Sequence, residues 1–138
     1  MDLRIVIVGY GRMGKEIEAL AGSFDGKIVE RLDIHNNASG EAIDADRLPD
    51  ADVAIDFSTA EATVANLPRL AEIGLNTVIG TTGWNEHEAE LRRVVAESSI
   101  GVVAAANFSI GVNVLLGLVE QAAQLFRQRD AFGASIHE

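Results

Sequence analysis

Cysteine is absent from the 138 residues, which removes disulfides, thiolate metal sites and a cysteine nucleophile together. Positive charge is scarce: 11 Lys and Arg stand against 21 Asp and Glu, for a net charge of −10. Nucleic acid and anionic membrane both call for a basic face, so neither is expected as a partner. Long apolar runs are missing too. The most apolar long stretch, residues 110–126, is interrupted by Asn113, Glu120 and Gln121, and a membrane span needs roughly 20 apolar residues. The N-terminus, Met1-Asp2-Leu3-Arg4, enters a short apolar segment without a signal-peptide layout, and a cytoplasmic protein is expected. Histidines occur only at 35, 87 and 137, without metal-ligand spacing. His87 is expected on an exposed first helical turn, and His137, near the presumed functional edge, in a structural role. There is no nucleophile elbow, no P-loop lysine, no internal repeat and no low-complexity linker.

What is present is enough apolar material for a core. Apolar residues make up 48% of the chain, and a domain of this length buries about two-thirds of its unfolded surface. One domain, residues 1–138, is expected. Short β-branched runs alternate with helical patterns. The run 3–8 is almost continuously apolar, as suits a strand buried on both faces. Residues 13–21 follow as a helix with Met13, Ile17 and Leu20 on one face. Residues 28–33 form a second, weaker strand. The polar, turn-rich stretch 35–50 reads as a loop, and one that long is uncommon without a function. Strand three is 53–57. Ser58-Thr59-Ala60-Glu61 has the form of a capping box, and the helix it opens should stop near Gly74. Strand four is 77–79. Asn85 with Glu88 marks another helix start, running to about 97. Strand five is 100–105, a long helix covers 110–127, and residues 131–137 read as a sixth strand. Strands alternating with helices predict an α/β fold, a doubly wound and mainly parallel sheet with helices on both faces.

Gly9-Tyr10-Gly11-Arg12-Met13-Gly14 matches G-x-G-x-x-G directly after a strand and at the start of a helix. The first glycine permits the tight turn and the second lets backbone approach a pyrophosphate. The third lets helix and strand close, while the helix N-terminus offers free N–H groups to phosphate. Asp33 follows at the end of the second strand, about 20 residues on, where an acid bonds the adenosine ribose of NAD. No Arg or Lys follows it directly, so a 2′-phosphate would meet a carboxylate; NAD is favoured over NADP. Ligands of open parallel sheets bind beyond the carboxyl ends of the strands. Those ends carry Gly9-Tyr10-Gly11, Asp33, Phe57-Ser58, Gly80-Thr81-Thr82-Gly83 and Asn107-Phe108-Ser109, a set of small, hydroxylated, amide and aromatic residues suited to a flat, polar-edged cofactor. Each has a plainer explanation singly: Ser58 as helix cap, Gly80 and Gly83 as a turn, Phe108 as core.

The segments Val8 to Gly14, Ala54-Ile55-Asp56-Phe57-Ser58, Val78-Ile79-Gly80-Thr81-Thr82-Gly83-Trp84 and Ala105-Ala106-Asn107-Phe108-Ser109-Ile110-Gly111-Val112-Asn113 carry a family resemblance. Together they resemble the N-terminal part of the 4-hydroxy-tetrahydrodipicolinate (dihydrodipicolinate) reductases of the diaminopimelate route to lysine, over essentially the whole chain. The resemblance implies a Rossmann-type domain in which Gly9, Tyr10, Gly11, Arg12 and Met13 hold the pyrophosphate and Asp33 the adenosine ribose. Gly80, Thr81 and Thr82 would run beside the nicotinamide ribose and ring, with Thr82 near the substrate. Ala105, Ala106, Asn107 and Phe108 would line the nicotinamide pocket, and Phe57 and Ser58 complete its wall. The family reduces a cyclic, unsaturated dicarboxylate by hydride transfer from NADH or NADPH, and a second domain builds a homotetramer.

Two departures qualify what the resemblance implies. The glycine loop is one residue shorter than the family's commonest Gly-x-x-Gly-Arg-Met-Gly. The chain ends at Ile136-His137-Glu138, ahead of the His-His-x-x-x-Lys and Pro-Ser-Gly-Thr segments that supply the proton donor and bind the substrate carboxylates. The chain is therefore expected to bind NADH, with NADPH as the second candidate, to contain no catalytic residue, and to have little or no reductase activity alone. A free-standing dinucleotide-binding regulatory or redox-sensing module, and the nucleotide domain of a related amino-acid dehydrogenase, are the alternatives; fold alone does not decide among them.

Overall fold

The computed structural model describes residues 2–48, 50–127 and 133. The chain falls into two compact units, Met1–Ala106 and Asn107–Glu138. The first holds a five-stranded sheet: β1 (Leu3–Val8), β2 (Gly26–Leu32), β3 (Val53–Asp56), β4 (Asn76–Ile79) and β5 (Val102–Ala104). The strand order is β2-β1-β3-β4-β5, and every neighbouring pair is parallel. Helices α1 (Arg12–Ala21), α2 (Ala60–Glu72) and α3 (Glu88–Ala96) connect the strands. The expected strand bounds hold to within two residues. The expected sixth strand, 131–137, and His137 with it, fall outside the described residues.

The apolar run of β1 is buried because both faces of the strand are covered. Ile5 and Ile7 cluster with Ala21, and Ile17, Ile28, Val53 and Ile55 pack around them. On the other face Val6 and Val8 join Ala54, Leu70 and Leu75. The helix α1 therefore lies on one side of the sheet and α2 on the other. A third cluster, Leu67, Ala71, Ile79, Leu91 and Ile100, joins α2 to α3 and β4. The sheet-facing stripe of α1 differs from the expected Met13, Ile17 and Leu20. Met13 and Leu20 are exposed, and the stripe is Gly14, Ile17 and Ala21. Close approach is the reason: a Cβ on Gly14 would lie 2.6 Å from the Gly9 carbonyl oxygen and 3.0 Å from Ile7 Cγ2.

The long connection between β2 and β3 is a loop, as expected, but its interior is apolar. Ala42, Ile43 and Leu48 enter the same cluster as Val6, Val8 and Leu32, so the loop covers sheet area that a helix covers elsewhere. Its buried Asn37 accepts from Ala42 N–H at 3.0 Å and donates to Asn66 Oδ1 on α2 at 3.1 Å. Two ion pairs pin its C-terminal part, Arg47 with Glu30 at 3.5 Å and Asp52 with Arg4 at 2.9 Å.

The register of β2 against β1 slips by one residue. Ile5 pairs with Ile28 but Val6 with Glu30, leaving Val29 as a bulge. The bulge reverses the alternation of every later residue. Ile28 packs on the α1 side, whereas Leu32 joins the cluster on the opposite face and Arg31 turns toward Glu18 of α1.

Two helix starts are built differently from the expectation, a capping box at Ser58 and a helix opened by Asn85 with Glu88. The cap of α2 is Thr59, whose hydroxyl accepts from Ala62 N–H at 3.2 Å; the Ser58 hydroxyl is committed to Asp56 Oδ1 at 2.5 Å. Asn85 opens a single 3-10 turn without capping through its side chain, and α3 begins at Glu88, which pairs with Arg92 at 2.7 Å. His87 is exposed on that turn, as expected.

In the second unit, α4 (Ile110–Phe126) is capped by Ser109, whose hydroxyl accepts from Val112 N–H at 3.4 Å. Asn107 Oδ1 accepts from Ser109 N–H at 2.7 Å, and Asn113 Nδ2 donates to the Asn107 and Ser109 carbonyls at 3.0 and 2.9 Å. No helix among the described residues is long and apolar enough to cross a membrane.

If the loop is part of the core, Ile43→Ala should cost about 2–4 kcal/mol of unfolding free energy, as aliphatic truncation in a packed core does. Urea unfolding of the two proteins measures it, and a loss below about 0.5 kcal/mol, the surface-substitution range, would place the loop outside the cooperative core.

Candidate functional site

The residues at the carboxyl ends of the strands are held in register by backbone hydrogen bonds that continue the sheet ladder. Gly9 N–H donates to Leu32 O at 2.8 Å, Phe57 N–H to Val8 O at 2.9 Å, Gly80 N–H to Asp56 O at 2.8 Å and Ala105 N–H to Ile79 O at 3.1 Å. The strand ends thus form one continuous edge. Three hollows lie along it.

The first, of about 490 Å³, opens among the ends of β1, β2 and β3. It brings together Gly9, Tyr10 and Gly11 with Asp33, Phe57 and Ser58, and its side walls include Ile34, Ala62 and Asn66. The second, of about 350 Å³, is lined by Arg12, Met13, Phe57, Ser58, Gly80, Thr81 and Thr82. The third, of about 260 Å³, joins Thr81 and Thr82 to Ala105 and Ala106. Phe57 and Ser58 line the first two and Thr81 and Thr82 the last two, so the hollows are contiguous. Asn107 and Phe108 belong to the second unit. A groove between α3 and β5, also about 490 Å³, adjoins the third hollow at Trp84, Arg92 and Ala104 and is lined otherwise by Leu67, Ile79, Leu91, Val95 and Val102, with Arg92 its only charged side chain. It has few polar groups with which to orient a ligand.

The glycines are there for space. Gly9 has φ +89°, and a Cβ on it would lie 2.6 Å from the backbone of Phe57; only glycine lets the ends of β1 and β3 close this far. Nothing lies within 4 Å of a Cβ placed on Gly11, which precedes α1 and supplies no side-chain cap. The start of α1 thus has no side-chain cap, its first-turn N–H groups carry the positive end of the helix dipole, and the space beside Gly11 is open. Gly80 makes room for the Phe57 ring, which would stand 2.1 Å from a Cβ there.

Asp33 comes directly after β2 and organises a tight turn. Its Oδ1 accepts from His35 N–H at 2.8 Å, and its own N–H donates to Asn36 Oδ1 at 2.8 Å. The nearest preceding cation, Arg31, is bound to Glu18.

Two arrangements were not legible as site features in the sequence. One is the cluster Tyr10, Glu18 and Arg31. Glu18 accepts from the Tyr10 hydroxyl and from Arg31, and the guanidinium stands 5.8 Å from the Tyr10 ring centre. These bonds, Arg31's first, hold the Glu18 carboxyl down at about 2 against an ordinary 4.5, while the bond to Glu18 pushes the Tyr10 phenol up. The cluster ties the glycine loop to α1 and β2. The other is Asp56, buried at the end of β3, whose carboxylate takes Ser58 N–H at 2.8 Å and the hydroxyls of Ser58, Thr81 and Thr63. Burial raises its pKa, and the four hydrogen bonds oppose that rise. An acid inside an otherwise apolar strand was the available signal.

A parallel sheet with a glycine turn, a helix N-terminus and an acid around one crevice is the class of the Rossmann-like dinucleotide-binding folds. The comparison with known proteins narrows the class. Residues 3–108 match the family described as "Dihydrodipicolinate reductase, N-terminus", and the chain belongs to that family. A 4-hydroxy-tetrahydrodipicolinate reductase of Christiangramia forsetii is 34% identical over 138 residues, covering 99% of this chain and 55% of its own length. That of Archaeoglobus fulgidus is 32% identical over 148 residues, covering 98% of this chain and 57% of its own length. That of Methanopyrus kandleri is 44% identical over 77 residues, 55% of this chain and 28% of the relative. The chain spans about half the length of the first two relatives.

The depressed Glu18 carboxyl makes a pH prediction. Its folded pKa lies below the unfolded one, so its contribution is complete above pH 4.5 and lost as pH falls toward 2. The stability difference between wild type and Glu18→Gln should be constant from pH 4.5 up to the onset of tyrosine ionisation and shrink below pH 4.5. Asp52, bonded to Arg4, also sits at about 2, and taking the difference cancels its titration. A pH-independent difference would show that the cluster is not formed in solution.

Proposed function

We propose that this chain binds a nicotinamide dinucleotide along the carboxyl edge of its sheet and serves as the cofactor domain of a reductase that acts on a small cyclic dicarboxylate. The observation that carries the reading is the open cradle at Gly11, where uncapped N–H groups and empty space meet beside Asp33. A pyrophosphate suits that cradle because it is anionic and has only acceptors to offer. Gly9, Tyr10, Gly11, Arg12 and Met13 hold it. Asp33 accepts a hydrogen bond from the adenosine ribose in the first hollow. Phe57, Ser58, Gly80, Thr81 and Thr82 bound the nicotinamide half, with Ala105 and Ala106 at its far end.

When bound, the cofactor supplies hydride. The chain's own part is to orient the ring and exclude water on one side, with Phe57 packed against Gly80 as the wall. Reduction of a dicarboxylate also calls for a positioned acid and cations. Among the residues lining the three hollows the Arg side chains are Arg12, beside the glycine turn, and Arg92, already paired with Glu88. Little or no turnover is therefore expected from these 138 residues alone.

Asp33 favours NADH. A 2′-phosphate would stand against its carboxylate, with Arg31 already neutralised by Glu18. Calorimetric titration should give saturable NADH binding, weaker NADPH binding, and a loss of about tenfold in NADH affinity in Asp33→Ala, the scale of one charge-assisted hydrogen bond. NADPH binding as tight as NADH, or an Asp33→Ala variant with unchanged affinity, would overturn the NAD assignment. Failure to bind either would overturn the cofactor reading.

A further inference from the structure

Asp56 is 1% exposed, and a carboxylate so buried is tolerated only where donors surround it. Four do. Ser58 sends its N–H at 2.8 Å and its hydroxyl at 2.5 Å to Oδ1, Thr81 sends its hydroxyl to Oδ1 at 3.2 Å, and Thr63 its hydroxyl to Oδ2 at 3.4 Å. Thr63 is fully buried. Ser58 and Thr81, by contrast, both line the middle hollow, so the carboxylate acts on that wall from behind.

A hydroxyl has one hydrogen and two lone pairs. With the hydrogen directed at Asp56, the Ser58 and Thr81 oxygens can only accept from whatever occupies the hollow. Their other short contacts, to Thr59 O at 3.5 Å and Asp56 O at 3.4 Å, are to acceptors as well and leave the lone pairs unused. We infer that Asp56 is a positioning residue that fixes Ser58 and Thr81 as hydrogen-bond acceptors, so that the middle hollow selects a ligand group with donors and disfavours phosphate. On a nicotinamide dinucleotide the matching donors are the hydroxyls of the nicotinamide-side ribose or the carboxamide NH₂. The inference rests on the cofactor reading above and adds a polarity to it: phosphate goes to the α1 cradle, donor groups go to the Asp56 wall.

The test compares NADH, followed by its fluorescence, with ADP, which reaches only the adenosine hollow and the cradle. In Asp56→Asn an amide NH₂ competes for the place of an acceptor and turns a hydroxyl outward. NADH affinity should fall about tenfold while ADP affinity stays within about twofold. Ser58→Ala and Thr81→Val each remove one acceptor while leaving the carboxylate in place, and each should weaken NADH but not ADP. In the Ser58→Ala/Thr81→Val background, Asp56→Asn should have little further effect on NADH, which a merely structural role would not produce. Reduced 3-acetylpyridine adenine dinucleotide, which lacks the amide donor, distinguishes the sources: weaker binding than NADH assigns the carboxamide, equal binding the ribose hydroxyls.

Equal losses for NADH and ADP in Asp56→Asn, or unchanged NADH affinity, would overturn the inference while leaving the cofactor reading in place. If Asp56→Asn does not fold, unchanged NADH affinity in both Ser58→Ala and Thr81→Val overturns it. A wild-type chain that binds neither ligand overturns both.

Discussion

The crevice at the centre of the edge exists because the chain leaves β1 and β3 on opposite faces of the sheet. The chain from β1 turns into α1, packed with Ile5 and Ile7, and that from β3 into α2, packed with Val6, Val8 and Ala54. Two connections that diverge leave the backbone between them uncovered, the general origin of ligand crevices in open α/β sheets. The same divergence requires the two strand ends to lie side by side, and the missing side chain at Gly9 makes this possible. Remove that proximity and the glycine loop, Phe57 and the start of α1 no longer share a wall.

Polar groups then settle the details that apolar packing leaves open. The Asp56 carboxylate claims the Ser58 hydroxyl, so the task of capping α2 passes to Thr59. One buried charge thereby determines where a helix begins, which hydroxyls face the middle hollow and how the loop after β4 is anchored. On the far side of the crevice, Tyr10, Glu18 and Arg31 clamp the glycine loop in a similar way. The apolar clusters hold the layers together, and these two polar clusters set the edge.

The strand positions, the glycine turn and the family motifs were readable in the sequence because each depends on local chemistry: β-branched runs, a glycine spacing, a helix-opening pattern. What was not readable depends on distant partners. Ser58 has the form of a cap, but Asp56 takes its hydroxyl and Thr59 caps the helix instead. The 35–50 stretch is polar in composition, yet three of its few apolar residues, Ala42, Ile43 and Leu48, fill the core. Met13 and Leu20 fit a helical stripe, but the sheet lies too close to α1 to admit them and Gly14 and Ala21 take the contact instead. Asn107 and Ser109, read as part of the edge, bond to each other and to Asn113 at the start of α4. The weakness of β2 as a pattern has a similar source, since a bulge at Val29 breaks its alternation.

That bulge bears on more than the side-chain faces. Among the described residues β2 is the outermost strand next to β1, and its far side has no strand partner. A regular, flat outer strand is a template for another chain to join. A strand with one surplus residue is kinked and over-twisted there, so it pairs poorly with anything approaching from outside. The irregularity that delivers Leu32 to the core and Arg31 to the clamp therefore also protects the sheet from end-on growth by self-association.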